Sequence, residues 1–174
     1  MKRILVFFLW LLLNFGSEPF APIANAAREG DVAEIRALAA KGADPNERAG
    51  VNNWTPLMHA VHKNQIASVE ALLDVHANPN VAAPTGETPL MMAAGYGYTP
   101  IVRLLLARGA NPRQVDKRGE SALDWALTGT NDIDDFTLFH CQDETARVLI
   151  AAHAKAKPSS VRFARLKGCH PERR

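Results

Sequence analysis

The chain has 174 residues, of which 47% are hydrophobic, and its formal net charge at pH 7 is +2. This length fits one domain with short additional segments. Two cysteines, Cys141 and Cys169, are too few for a disulfide framework, although an oxidising compartment permits one bridge between them.

The first predicted element is a signal peptide over residues 1–21. Met1–Arg3 carries a basic charge, and Ile4–Leu13 follows without a polar side chain. The apolar run ends by Gly16 at the latest, whereas a membrane-spanning helix needs roughly 20 residues. A cleaved signal is therefore favoured over a permanent anchor, and the protein is expected to be periplasmic or secreted.

The cleavage point stays open between two positions. The sequence Ala24-Asn25-Ala26 fits the small-x-small rule, which places the cut as late as residue 26. A cut after Ala21 would spare the first helix predicted below, but it puts Pro19 at the unfavourable third position before the cut.

Internal repetition organises the rest of the chain. One motif starts at residues 55, 88 and 121 and reads TPLMHA, TPLMMA and SALDWA. A second motif starts at residues 42, 76 and 109 and reads GADPN, HANPN and GANPR. The two motifs share one period, except for a single extra position between the first two copies of the second motif. Two motifs in constant phase indicate a repeat protein.

This pattern resembles the ankyrin-repeat family, whose period is about 33 residues and whose motif is T-P-L-H-x-A. The resemblance covers residues 22–156 and implies an all-α solenoid of about four helix-turn-helix units with short β-hairpin fingers. The units are expected at about 21–47, 48–80, 81–113 and 114–156. Counting back one period and the extra position from Thr55 makes Ala21–Gly30 the first helix of a degenerate N-terminal unit.

The residue types in the motifs suit helix ends. Thr55 and Thr88 can cap helix N-termini, and the proline after each lies at the first helical position, where its missing N–H costs nothing. Gly42 and Gly109 are expected to end the second helices in a left-handed conformation, for which His76 is a weaker choice.

The fourth unit departs from the pattern. Residues 146–154 match residues 102–110 at an offset of 44, and 44 is 11 more than the period, so we expect an insertion at 130–143. An acidic half of this insertion precedes an apolar half. The insertion either caps the C-terminal end of the stack or contacts a partner, and both readings stay open.

We find no catalytic or metal-binding constellation in the sequence. His59 and His62 are three residues apart, but His59 holds the inner register position of Met92 and Trp125, which predicts a packed core residue. A group in the insertion has the wrong spacing for a calcium loop and too few cysteine or histidine ligands for structural zinc. Its members are Asp132, Asp134, Asp135, His140 and Cys141. The sequence therefore predicts a protein that is not an enzyme and needs no metal or cofactor.

The formal charge is distributed unevenly, because residues 22–154 are acidic overall whereas the C-terminal tail at 157–174 is basic. Residues 22–154 carry 11 basic and 16 acidic side chains, a net of −5, whereas residues 155–174 carry seven basic and one acidic, a net of +6. We expect a solvated, disordered tail that can contact a membrane weakly. Export argues against nucleic acid as a partner.

The family resemblance places partner contacts at the finger tips and on the exposed side of the first helices. Transferred by register, the tip positions are Val51, Asn52, Trp54, Pro84, Thr85, Glu87, Lys117, Arg118 and Glu120. The helix positions are Arg28, Glu29, His62, Lys63, Gly95, Tyr96, Thr128 and Gly129. Trp54 and Tyr96 are expected to contribute most, because large aromatic residues dominate interface hot spots. Trp54 alternatively packs along its own finger.

The resulting functional hypothesis is a periplasmic, non-enzymatic scaffold that binds a protein. One version steadies a partner enzyme, and another is an inhibitor or immunity protein that blocks a toxin or enzyme. The alternative from a different class is a membrane-tethered structural element held by an uncleaved signal and the basic tail.

Overall fold

The computed structural model describes residues 21–129 and 142–169. Within these ranges the chain forms short helices joined by turns and loops. They are α1 (Pro22–Glu29), α2 (Val32–Ala40), α3 (Pro56–His62), α4 (Ile66–Asp74), α5 (Pro89–Gly95), α6 (Thr99–Ala107), α7 (Ala122–Thr128), α8 (Asp143–Ala151) and α9 (Pro158–Leu166). None of these helices is long and apolar enough to cross a membrane.

The helices stack in two layers. Consecutive helices pair within a unit, as α1 with α2 and α3 with α4. The first helices α1, α3, α5 and α7 pack on one another in sequence, and the second helices α2, α4, α6 and α8 do the same. This arrangement confirms the predicted all-α repeat solenoid.

Side-chain caps begin the first helices as the motif predicts. The Thr55 hydroxyl accepts a hydrogen bond from the Met58 N–H at 3.3 Å, and the Thr88 hydroxyl accepts one from Met91 at 3.2 Å. In the fourth unit Ser121 and Asp124 cap each other's backbone N–H groups reciprocally. Each cap satisfies a backbone N–H that has no partner inside its helix.

Left-handed residues end the second helices. Gly42 and Gly109 have φ values of 91° and 85°, which confirms their expected role. His76 and His153 take the same position with φ values of 67° and 61°. The next residue then donates back to a carbonyl in the last turn, for example from the Ala110 N–H to the Leu105 carbonyl at 2.9 Å.

Asparagines join the turns that follow the second helices. The Asn46 side chain accepts a hydrogen bond from the Asn78 N–H at 2.8 Å, and the Asn80 side chain accepts one from Asn111 at 2.7 Å. The Asn80 amide also donates to the Gly109 carbonyl at 3.0 Å. The last residue of the GADPN motif therefore fixes the spacing between neighbouring units.

Three fingers project between the units: finger A (residues 47–54), finger B (residues 81–87) and finger C (residues 114–120). Isolated antiparallel bridges close fingers A and C, through Ala49 with Trp54 and Val115 with Ser121. In finger B the Ala83 N–H donates to the Glu87 carbonyl at 2.8 Å. The described residues thus form tight hairpin turns rather than extended strands.

Neighbouring fingers touch through their backbones. The Lys117 N–H of finger C donates to the Thr85 carbonyl of finger B at 3.1 Å. Gly86 has a φ of 93°, and a Cβ atom there would lie 2.7 Å from the Lys117 nitrogen and 2.9 Å from the Asp116 Cα. Only glycine fits between these two fingers without displacing backbone.

The expectation of a disordered tail is wrong for residues 158–166, which form α9. This helix packs on α7 and so continues the layer of first helices. The buried carboxylate of Asp124 accepts a hydrogen bond from the Lys157 N–H at 2.7 Å, and the Ser121 hydroxyl donates to the Lys155 carbonyl at 2.6 Å. After the end of α9, the Cys169 N–H donates a hydrogen bond to the Ala164 carbonyl at 2.9 Å.

Several predicted segments lie outside the described residues. The segments 1–20, 130–141 and 170–174 fall in this group, so the signal peptide and the proposed bridge from Cys169 to Cys141 stay predictions. Cys169 is buried. Of the insertion predicted at 130–143, the last residue, Asp143, is the first residue of α8. Four of the eight residues of α1 are buried, so a cut after residue 26 would remove more than half of a packed helix.

Replacing Gly86 with alanine should destabilise the stack more than the same change at Gly109. Both positions have positive φ, where a side chain costs about 1–2 kcal/mol. A Cβ at Gly109 meets nothing within 4 Å, whereas one at Gly86 meets the finger C backbone. Urea unfolding should show a loss of about 1–2 kcal/mol for Gly109→Ala and a clearly larger loss for Gly86→Ala. Equal losses would contradict the close packing of fingers B and C.

Candidate functional site

Four aromatic side chains form a continuous row across the second and third units. The ring centroids of Trp54 and His62 are 5.3 Å apart, and those of His62 and Tyr96 are 5.8 Å apart. Tyr96 stacks on Tyr98 at 5.3 Å with an interplanar angle of 20°. We call Trp54, His62, Tyr96 and Tyr98 the aromatic row. All four side chains are half-buried, so each keeps part of its ring at the surface.

The repeat geometry places these residues side by side. Trp54 ends finger A, directly before the Thr55 cap, and His62 is the last residue of α3. Tyr96 directly follows α5 and so lies at the corresponding end of the first helix in the next unit. Tyr98 precedes α6. Stacking of α3 on α5 therefore brings side chains from two units into one row.

A hydrogen bond links the two units within the row. The Nδ1 atom of His62 and the hydroxyl oxygen of Tyr96 are 3.1 Å apart, and the histidine tautomer decides which of them donates. This bond and the ring contacts restrict the rotamers of both side chains. A rigid aromatic surface loses little conformational entropy when it binds a partner.

Trp54 packs against helix α3 as well as closing finger A. Its ring lies 5.5 Å from that of His59, edge to face, and 5.3 Å from that of His62. Its backbone exchanges two hydrogen bonds with Ala49, at 2.8 and 3.2 Å. Trp54 is thus positioned by both its finger and its helix, with part of the ring left accessible.

His59 lies beneath the row and is buried, as its register position predicts. Its Nε2–H donates to the Ala49 carbonyl across 3.4 Å. Burial is the main cause that lowers the pKa of His59 below its ordinary value, and the hydrogen bond to Ala49 opposes this shift. His59 is therefore a packed residue whose ring contacts the inner side of Trp54.

A second cluster lies on finger C. The buried carboxylate of Asp116 accepts hydrogen bonds from the backbone N–H groups of Arg118 and Glu120 at 2.9 and 2.8 Å. It also accepts one from the Arg118 guanidinium, which pairs with Glu120 at 2.9 Å. The same guanidinium lies 5.6 Å from the centre of the Trp125 ring. Arg118 is therefore held in place although its side chain is largely exposed.

Sequence reasoning missed Tyr98 and Trp125 as surface residues. Tyr98 lies two residues after Tyr96, the last position that the family resemblance assigns to the contact surface in this unit. Trp125 has the register position of Met92, which predicts a core residue. Trp125 is only half-buried, and its indole nitrogen is buried with no hydrogen-bond partner among the described residues. The size of the Trp125 side chain could have indicated its exposure, because a tryptophan is larger than the methionine that is buried at the equivalent position, Met92.

Most of the predicted contact residues at the finger tips and in the row fall into three groups. Trp54, His62 and Tyr96 meet in the aromatic row, and Arg118 and Glu120 form the ion pair of finger C. The remaining residues with high exposure lie singly, at the finger tips or beside the row. They are Val51, Asn52, Lys63, Pro84 and Lys117, whereas the exposed Thr85 is hydrogen-bonded to Glu87.

Glu87 is the last residue of finger B and is half-buried. Burial raises the pKa of its carboxyl group, and the neighbouring Asp116 adds to the rise, whereas Arg118 opposes it. Among the described residues, no group of three or more acidic, histidine or cysteine side chains is arranged to hold a metal ion. The acidic group of the insertion, from Asp132 to Cys141, lies outside the described residues.

Comparisons with known proteins agree with this architecture. A family model described as ankyrin repeats in three copies matches residues 6–83, and a second, described as ankyrin repeats in many copies, matches residues 74–126. An ankyrin repeat-containing protein of Treponema pallidum (strain Nichols) is 35% identical over 104 residues, which cover 60% of this chain. The match spans only 35% of the length of that relative.

The stability of the protein should depend on pH through His59. Its pKa is lowered in the folded state, so between the ordinary value of 6.5 and the lower folded value the unfolded chain binds more protons. The free energy of unfolding is therefore not reduced by His59 above pH 6.5. It decreases as the pH falls below 6.5, because protonation of His59 then favours the unfolded chain. Urea unfolding between pH 7.5 and 5.5 should show a smaller decline for His59→Gln than for wild type. An identical decline would show that His59 does not titrate differently in the two states.

Proposed function

The chain belongs to the ankyrin-repeat family, and from this and the geometry of its surface we propose that it is a non-enzymatic scaffold that binds a protein partner. Ankyrin repeats are protein–protein interaction modules, and proteins built from them are typically not enzymes. The proposed contact surface consists of the aromatic row and the tips of fingers A, B and C.

The aromatic row is the observation that carries the proposal. Tryptophan, tyrosine and arginine are the residues most enriched in interface hot spots. The row and finger C supply all three types on side chains that are already held by contacts at 5.3–5.8 Å and by hydrogen bonds. A partner therefore meets a surface that needs little ordering before it binds.

Replacing Trp54 and Tyr96 together with alanine should abolish capture of the partner. Truncation of a hot-spot residue costs about 2 kcal/mol or more, so two such changes weaken binding beyond recovery in a pull-down from the envelope fraction. The matched control is Ile66→Ala/Ile150→Ala, which removes two exposed apolar side chains from the second-helix layer. Capture that survives the Trp54/Tyr96 change, or that is lost equally in the control, would place the contact elsewhere.

The effect of the chain on the activity of the captured protein distinguishes the two versions of this function. An inhibitor or immunity protein blocks its partner enzyme or toxin at a one-to-one ratio, whereas an accessory factor leaves or raises its activity. Titration of the purified partner with the wild-type chain therefore separates them.

We also propose that the protein acts in the periplasm or is secreted. The support is the basic start at Met1–Arg3 and the apolar run Ile4–Leu13. The three-copy ankyrin match begins at residue 6 and so includes part of the same segment. The two assignments of residues 6–20, as a signal or as part of the repeat array, differ in whether these residues remain on the mature protein.

Intact mass measurement of the protein purified from its native host should show a mature chain that begins between Pro22 and Ala27. A cut directly after Ala21 is the expected result, because α1 then remains whole. A mature chain that keeps residues 1–20 and fractionates with membranes would instead support the membrane-tethered alternative. A soluble chain that keeps them would remove the support for export.

A further inference from the structure

An open groove of about 580 Å³ lies at the C-terminal end of the stack, on α9 and the residues just before it. It is lined by Ala156, Pro158, Val161, Arg162, Arg165 and Leu166. This groove is separate from the aromatic row, none of whose residues line it. We call it the end groove.

The end groove faces away from the rest of the stack. Ser160 and Ala164 are one helical turn apart and are the buried residues of α9, which packs on α7. Arg162 and Leu166 are also one turn apart, and the helical period puts them on the opposite side of the helix. On this side of α9, Leu166 is 78% exposed.

The end groove is lined by apolar and basic side chains. Its lining includes four residues with apolar side chains, whereas its two charged residues are both arginines. Residues 155–169 contain five basic side chains and no acidic one: Lys155, Lys157, Arg162, Arg165 and Lys167. A ligand that fits this charge is anionic, and one that fits the lining also carries an apolar group.

The shape and the residue types favour a peptide over a membrane surface. Val161 and Ala156 line the groove and are half-buried, whereas Leu166 is largely exposed. A bilayer would contact Leu166 but would not fill the groove, whereas a single apolar side chain can enter it. Arginine guanidinium groups also match the fork geometry of carboxylates.

We propose that the end groove binds an acidic segment of a partner protein. One leucine or phenylalanine side chain of the segment enters between Val161 and Leu166, and a flanking aspartate or glutamate side chain pairs with Arg162. The groove is a second contact surface, independent of the aromatic row, and it extends recognition beyond the row and the finger tips.

The test uses the full chain and a short fluorescent peptide with one central leucine flanked on both sides by aspartate and glutamate. Fluorescence anisotropy at physiological ionic strength should show binding that weakens about tenfold or more in Arg162→Glu and in Leu166→Asp. Both residues are exposed, so the variants should keep the wild-type melting temperature. A peptide whose central leucine is replaced by serine should also bind about tenfold more weakly.

Arg147→Glu is the matched charge control, because Arg147 is exposed on α8 and does not line the groove. It should bind the peptide like wild type, and an equal loss there would show attraction to net charge only and overturn the proposal. Absence of peptide binding would also overturn it. Leu166-dependent binding to phosphatidylglycerol vesicles without peptide binding would assign the surface to membranes, and Leu166-dependent dimers would assign it to a second copy. Retained peptide binding in Trp54→Ala/Tyr96→Ala separates this site from the aromatic row.

Discussion

Contact between equivalent helices of successive units holds the molecule together. The helices are seven to nine residues long, and isolated helices of this length are not stable in water. Leu57 and Leu90 of the first-helix layer are at most 1% exposed, as is Leu105 of the second-helix layer. Because each unit buries these side chains mainly against its neighbours, no single unit has a core of its own.

This dependence explains both the repeating framework and the site on it. The caps at Thr55 and Thr88 and the asparagine bonds between turns fix where each helix begins and how far apart the units lie. Residues at the same end of adjacent first helices then meet, as His62 and Tyr96 do at 3.1 Å. The aromatic row is consequently a property of the stack, since neither unit alone presents it.

Local chemistry allowed much of the fold to be predicted from the sequence. A hydroxyl residue before proline specifies a helix start, and Gly42 and Gly109 specify helix ends, because these preferences act within a few residues. The first helix of the degenerate unit followed from the register alone, and α1 lies where that register puts it.

Features that depend on tertiary contacts were not predictable in the same way. The composition of the basic tail suggested disorder, but contacts with Asp124 and Ser121 dock α9 onto the stack. The available signal was the proline at 158 and the glycine at 168, which frame α9 as they frame other helices. Of the candidate site, the register supplied Trp54, His62 and Tyr96, whereas the stacked position of Tyr98 and the exposure of Trp125 arise only once the units are assembled.

Because the contact at Gly86 is made by backbone atoms, the spacing of fingers B and C does not depend on the side chains at the finger tips. Main-chain atoms set the distance between fingers B and C, whereas Val51, Pro84 and Lys117 point outward without supporting the stack. Substitution at those tips can accordingly change which partner is recognised while the geometry of presentation persists. The architecture is therefore suited to retargeting, by natural divergence or by library selection at the tips, provided that the glycine is kept.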